Sequence, residues 1–220
     1  MKSTSLPPLT PFSTFTLDSM DDQILNDVIL ELEDGITVRR YRASDVQSMT
    51  KHANNKTLWL NMRDRFPHPY DDTASRRWIS INADPGNHAR SGKYTLEAGA
   101  EGPLVPTNYA IAINGEAIGS IGLDFGADIY YRTAELGYWI GEEYWGKGII
   151  SAMAPAFVRW AWKTFGILIR INAEANERNL GSIRTLVKAG FADEGKRINA
   201  IVKMGEVQSV VWYGVLRPAD

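Results

Sequence analysis

The chain has 220 residues in ordinary globular proportions, 44% hydrophobic and 23% charged, which excludes a wholly disordered, collagen-like or coiled-coil protein. Its 24 Lys and Arg against 26 Asp and Glu leave a net charge of −2, so no global basic field invites a nucleic acid. Cys is 0 and the only His are His52, His68 and His88, which rules out disulfides, thiolate catalysis and zinc–thiolate sites and argues against a multi-His metal site.

Residues 1–34 read as an N-terminal extension, Ser/Thr/Pro-rich to about residue 20 and partly disordered. Within it, residues 21–32 fit a short helix or an added strand equally well. The first 15 residues lack the apolar core of a secretory signal. No run reaches the roughly 18 apolar residues of a membrane span. A cytoplasmic protein with no membrane partner is expected.

Residues 36–42 (ITVRRYR) alternate apolar and basic and predict a strand. Ser44 and Asp45 then supply N-cap chemistry for a helix running towards Leu58. Phe66-Pro67-His68-Pro69-Tyr70 breaks the chain, and Asp71 or Asp72 caps a second helix carrying Trp78 and Ile79. Residues 84–107 hold several Gly and Pro and few apolar residues, an irregular insertion longer than most loops in compact domains. Two apolar runs, 109–113 and 117–123, flank Asn114-Gly115, which predicts a tight hairpin.

Residues 133–140 (TAELGYWI) read as a strand entering Gly141-Glu142-Glu143-Tyr144-Trp145-Gly146-Lys147-Gly148. Ile149, Met153, Ala156 and Trp160 then form the apolar stripe of a helix, with Pro155 expected to kink it. A strand over 167–173, a helix over 180–189 stopped by Gly190, and two strands around Gly205 complete the order. The domain, residues 35–220, is thus a mixed α/β fold with a βαβ crossover in its second half.

The turn 143–148 carries the most chemistry. Glycines allow close backbone approach, and a helix start offers unpaired N–H groups and a positive dipole end, which together suit a phosphate. A strand-to-helix turn without a ligand accounts for the same spacing. The segment also matches the start of a P-loop, GxxxxGK, but Gly148 stands where a magnesium-binding Ser or Thr is required.

These residues resemble the GNAT superfamily of acyl-CoA-dependent N-acyltransferases, within it the branch that acetylates N-terminal alanines of ribosomal proteins. That family's phosphate loop is Gln/Arg-x-x-Gly-x-Gly/Ala, and Glu143-Tyr144-Trp145-Gly146-Lys147-Gly148 matches it except at Glu143. The preceding Ala134-Glu135-Leu136-Gly137-Tyr138-Trp139-Ile140 agrees with the branch. So do Phe66-Pro67-His68-Pro69-Tyr70 with Ala74 and Trp78, and Asn176, Asn179, Ser182 with Lys188-Ala189-Gly190-Phe191. The likeness spans about residues 36–216.

The resemblance implies a mostly antiparallel central sheet with one splayed parallel strand pair, flanked by helices. It implies acetyl transfer from acetyl-CoA, without a metal, to a primary amine of a peptide N-terminus or a small molecule. The alternative it leaves open is a non-catalytic acyl-CoA sensor of the same fold. Backbone groups of Tyr138, Trp139 and Ile140 would pair with the pantetheine arm. N–H groups from Tyr144, Trp145, Gly146, Lys147, Gly148 and Ile149 would take the pyrophosphate, and Asn179 and Ser182 would lie near the pantetheine and sulfur. Glu135 would be the general base and Ser182 the fallback proton donor. Many members carry a Tyr four residues after that Ser; here Leu186 stands there. Trp59, Arg63, Phe66 and Tyr70 would line the acceptor side. Monomer and homodimer are equally compatible with the sequence.

Overall fold

The computed structural model of the chain describes residues 28–219, so the disorder expected for the start of the chain lies outside the described residues. Two strands come first, β1 (Val28–Glu31) and β2 (Ile36–Arg39). Three helices follow, α1 (Val46–Ala53), α2 (Lys56–Leu60) and α3 (Asp72–Ala83). Four two-residue strands occupy the insertion, β3 (Ala89–Arg90), β4 (Tyr94–Thr95), β5 (Gly99–Ala100) and β6 (Leu104–Val105). The second half runs β7 (Asn108–Ile113), β8 (Glu116–Phe125), β9 (Thr133–Ile140), α4 (Ile149–Thr164), β10 (Arg170–Asn176), α5 (Leu180–Lys188), β11 (Ala192–Lys203) and β12 (Glu206–Leu216).

Eight of the strands form one sheet in the order β1-β2-β7-β8-β9-β10-β12-β11. Every neighbouring pair is antiparallel except β9 and β10, which run parallel because α4 carries the chain back across the sheet. The predicted hairpin is the β7–β8 turn. Asn114 and Gly115 both take positive φ, 48° and 89°, the conformation a two-residue turn needs to match strand twist. Of the stretch 21–32 that suited helix or strand, residues 28–31 form the edge strand β1, paired to β2.

The sheet is covered on both faces. Tyr109, Ile111, Ile121, Leu123, Ala134 and Leu136 pack with Met153, Phe157 and Ala161 of α4 and Leu186 of α5. On the other face Tyr41, Ala110, Ala117 and Trp139 pack with Met49, Leu58 and Ile79 of the first three helices. Arg39 and Asp45, both buried, close this second layer with two hydrogen bonds of 2.7 and 2.8 Å.

Three local expectations change. The helix expected from 44 to 58 is two helices, because Asn55 turns its side chain on the backbone and accepts from the Leu58 N–H at 2.8 Å, starting a new helix. α4 runs from Ile149 to Thr164 with Pro155 inside it, and its buried face centres on Met153, Ala154, Phe157 and Ala161 rather than on Ala156 and Trp160. Trp160 instead lies at the rim against the rings of Tyr109, Phe157 and Phe165. The 84–107 insertion satisfies its backbone in two small ribbons, β3 with β6 and β4 with β5. It is fastened to the end of α4 by Gly92 N–H to Thr164 O (2.7 Å) and Gly166 N–H to Gly92 O (2.8 Å). Gly166 is required there, since a Cβ would stand 2.3 Å from the Gly92 carbonyl oxygen.

Candidate active site

The site begins where the sheet comes apart. β9 and β10 pair only at Thr133, Ala134 and Glu135 against Arg170, Ile171 and Asn172. Beyond Glu135 the strands diverge, while β9 stays paired with β8 as far as Ile140. Residues 136–140 therefore present one backbone edge that no strand covers among the described residues. The wedge between the strands opens into a cleft of about 1460 Å³.

The turn after β9 forms one end of the cleft. Trp145 Nε1–H donates to the Ile140 carbonyl at 2.8 Å and fastens the turn to the strand. Gly146 and Gly148 adopt φ of +73° and +78°, and a Cβ at either would meet nothing within 4 Å, so the space beside the turn is open. Gly148 caps α4 without a side-chain hydrogen bond. The first helical bond runs from Ala152 N–H to Gly148 O at 3.0 Å, leaving the N–H groups of Ile149, Ile150 and Ser151 without helical partners. A 16-residue helix thus points an uncapped N-terminus at the cleft, which favours an anion there.

The opposite wall is α5. Asn179 Oδ1 accepts from the Ser182 N–H at 3.1 Å and so caps this helix. The Ser182 hydroxyl lies 2.7 Å from the Tyr138 hydroxyl, which reaches it from β9. Burial pushes the Tyr138 phenol up to about 12, opposed by its bond to Ser182. The phenol is a proton donor at neutral pH.

At the far end, the loop after α2 lies over the carboxylates of the sheet. Arg63 pairs with Glu135 on β9, and its Nη2 is 3.9 Å from Glu174 on β10. Arg65 pairs with Asp124 of β8, the cross-strand neighbour of Glu135. Burial raises the Glu174 carboxyl above the usual carboxylate range; Arg63 opposes the shift and Glu135 adds to it. Glu135 and Glu174 are 28% and 20% exposed, so both remain open to a ligand.

Of the residues singled out in the sequence, Glu135, Tyr138, Trp139, Ile140, Tyr144, Trp145, Gly146, Gly148, Ile149, Asn179, Ser182, Arg63, Phe66 and Tyr70 line this one cleft. Lys147 and Trp59 do not. Lys147 places its Nζ 5.3 Å from the Tyr144 ring centroid. Trp59 stacks on His68 and carries the Lys203 ammonium 4.0 Å from its ring centroid. Lys203 also donates to Met62 O at 3.0 Å and Asp64 Oδ1 at 2.7 Å, and so ties the tip of the β11–β12 hairpin to the loop after α2.

Sequence reasoning missed Glu174 and the side chain of Tyr138. The signal for Glu174 was available. Arg170-Ile171-Asn172-Ala173-Glu174-Ala175-Asn176 alternates, with Ile171, Ala173 and Ala175 buried, so Glu174 falls on the polar face with Asn176. Among the described residues, no group of three or more His, Asp or Glu is placed to hold a metal ion. No described helix is long and apolar enough to cross a membrane.

The Bacillus subtilis (strain 168) protein YdaF, named provisionally as a ribosomal N-acetyltransferase, is 34% identical over 86 residues, covering 39% of this chain and 46% of that one. YjcK of the same organism, named as a probable N-acetyltransferase, is 42% identical over 89 residues, covering 40% and 49%. The chain thus aligns with about half the length of these curated relatives. RimL, described as a ribosomal L7/L12 alpha-N-protein acetyltransferase and solved with coenzyme A, superposes with a TM-score of 0.68 at 18% identity, over 88% of this chain and 99% of that one. Residues 36–192 match the profile of the acetyltransferase (GNAT) domain, the span that holds the splayed strands, the uncapped helix and both carboxylates, and the chain belongs to that family.

Proposed function

We propose that this protein is an N-acetyltransferase that moves an acetyl group from acetyl-CoA to a primary amine. The observation that carries the reading is the uncapped N-terminus of α4 beside the unpaired edge of β9, both on one cleft. The fit to acetyl-CoA is chemical. A pyrophosphate needs N–H donors and positive potential, which Ile149, Ile150 and Ser151 supply. A pantetheine arm carries amides, which the free backbone edge of residues 136–139 matches as an added strand would, the Ile140 carbonyl being taken by Trp145. Gly137 between them leaves open space, since a Cβ there would meet nothing within 4 Å.

When bound, acetyl-CoA supplies a thioester carbonyl open to attack. The chain's own residues handle the protons and the charge. A primary amine reaches the site as an ammonium and must lose a proton before its nitrogen attacks. Glu174, raised by burial, takes that proton, and Glu135 holds Arg63 beside it. N–H groups on the free edge of β9 face the developing oxyanion. As the carbon–sulfur bond breaks, the leaving sulfur takes a proton from Ser182 Oγ, which the Tyr138 hydroxyl replenishes; the nitrogen sheds its second proton and Glu174 its own to solvent, and solvent returns one proton to Tyr138. The acceptor end suits a cation. Carboxylates at Asp124, Glu135 and Glu174 outnumber Arg63 and Arg65, which pair with them, and share the cleft with the half-buried ring of Phe66, so an ammonium gains charge there and cation–π contact with Phe66. A peptide N-terminus and a small amine both meet that description.

The test is thermal unfolding with acetyl-CoA, followed by CoA release with a panel of amines. A ligand at a hundred times its dissociation constant adds about 2.7 kcal/mol. At this size that raises the midpoint by roughly 5–10 °C. No shift with acetyl-CoA would refute the reading. A shift with no CoA release from any amine would leave a binding module in place of an enzyme.

A further inference from the structure

The turn that should receive a pyrophosphate brings two carboxylates with it, Glu142 immediately before it and Glu143 as its first residue. Left free, either would repel an anion at the α4 N-terminus. The structure turns both away. Glu143 Oε1 lies 3.2 Å from Lys51 Nζ and 3.2 Å from His52 Nδ1, both in the last turn of α1. His52 is buried, and its other ring nitrogen, Nε2, is 3.0 Å from Glu116 Oε1. Lys51 Nζ also reaches Glu116, at 3.7 Å. The Asn55 side-chain amide donates to Glu142. Tyr144, Trp145 and Gly146 line the cleft, whereas Glu142 and Glu143 do not.

This arrangement is built into the turn. Gly141 has no side chain, and a Cβ there would stand 2.8 Å from His52 Nδ1. The ring of His52 meets Tyr144 edge to face at a centroid distance of 5.4 Å. α1 thus grips the residues on both sides of Glu143.

We propose that Lys51 and His52 are positioning residues for acetyl-CoA: they latch Glu143 to α1 and keep its charge off the phosphate-binding turn. The proposal rests on acetyl-CoA being the ligand of that turn. Its logic is electrostatic. A carboxylate released beside a pyrophosphate at partly exposed distances costs about tenfold or more in affinity. The same carboxylate held by a lysine and a histidine on the far side costs little. Neither Lys51 nor His52 touches the ligand in this account.

The experiment is a charge-rescue cycle read by calorimetric titration with acetyl-CoA. The proteins are the wild type, Lys51→Met, Lys51→Met with His52→Gln, Glu143→Gln, and the triple variant. Lys51→Met alone weakens acetyl-CoA severalfold, and adding His52→Gln brings the loss to about tenfold or more. Glu143→Gln alone binds at least as tightly as wild type. The triple variant returns to within about twofold of Glu143→Gln, because no charge is left to misplace. Unfolding midpoints of the unliganded variants show that each is folded, and Lys51→Met, at an exposed site, keeps the test alive if the buried His52 change does not fold. A triple variant as weak as the Lys51→Met, His52→Gln protein would overturn the latch, since the loss would then come from α1 packing. Unchanged binding in Lys51→Met and in the double variant would overturn it too. A wild type that binds no acetyl-CoA would sink the cofactor reading and the latch together, an outcome distinct from failed rescue.

Discussion

Replacing Glu174 with Gln keeps the shape of the side chain and removes its capacity to hold a proton. Its position on β10, 3.9 Å from Arg63 and facing Glu135 across the opening wedge, makes it the less exposed member of a carboxylate pair, 20% against 28%. Burial lifts its carboxyl above the ordinary range, with Glu135 adding to the effect. A base with a raised pKa is ionised only above that value, so the wild-type rate falls as pH drops through it. The acid limb of kcat/KM therefore lies above the usual 4.5 of a carboxyl. Positioned general bases contribute about 10²–10⁴ in rate, so Glu174→Gln should lower kcat by that factor, about 2.7–5.5 kcal/mol of barrier. The acid limb should vanish with it, and acetyl-CoA affinity should hold within about twofold. Glu135→Gln should act differently, because it releases Arg63 and so raises KM for the amine more than it lowers kcat. The assay is initial-rate CoA release across pH 5–9 with one responsive amine. A Glu174→Gln enzyme that keeps its kcat and its acid limb would refute the assignment and return the base role to Glu135.

Three further outcomes follow from the same geometry. Tyr138→Phe should lower kcat about tenfold without weakening acetyl-CoA, because Ser182 loses the hydroxyl 2.7 Å away that restores its proton; and since the phenol is pushed up to about 12, the wild type should show no alkaline limb from Tyr138 below about pH 11. Asp45→Ala strands the buried Arg39 guanidinium and removes the acceptor for the Arg42 N–H at 2.7 Å. It should cost about 3–5 kcal/mol and lower the midpoint by roughly 6–20 °C, with a loss under about 1 kcal/mol counting against the account. Met153→Ala removes a fully buried side chain between α4 and the sheet and should cost about 2–5 kcal/mol by urea unfolding, with an unchanged slope.

Much of the architecture is written in short-range chemistry. The Asn114-Gly115 turn, the Asp71 cap of α3, the Asn179 cap of α5 and the stop at Gly190 each depend on residues within four positions. The glycine turn before α4 belongs to the same class, because positive φ and an uncapped helix start are local properties of Gly146 and Gly148. Sequence reading went astray where two local preferences competed, as at Asn54-Asn55, and where burial angle depended on neighbours, as along α4.

The convergence of charge was decided elsewhere. Arg63 and Glu135 are 72 residues apart, Lys203 and Asp64 are 139 apart, and Asn55 and Glu142 are 87 apart. No periodicity links such pairs. They meet because the sheet sets β8, β9 and β10 side by side, lets β9 and β10 part after three residue pairs, and lays the α2–α3 loop across their ends. Residue types in the chain thus named the chemistry available, while strand order and the splay decided which carboxylate faces the cleft, which is paired away, and which side of the turn Glu143 occupies. The reason is physical: hydrogen-bonded turns and caps are satisfied by neighbours along the chain, but a charge is placed by whatever the tertiary fold packs against it.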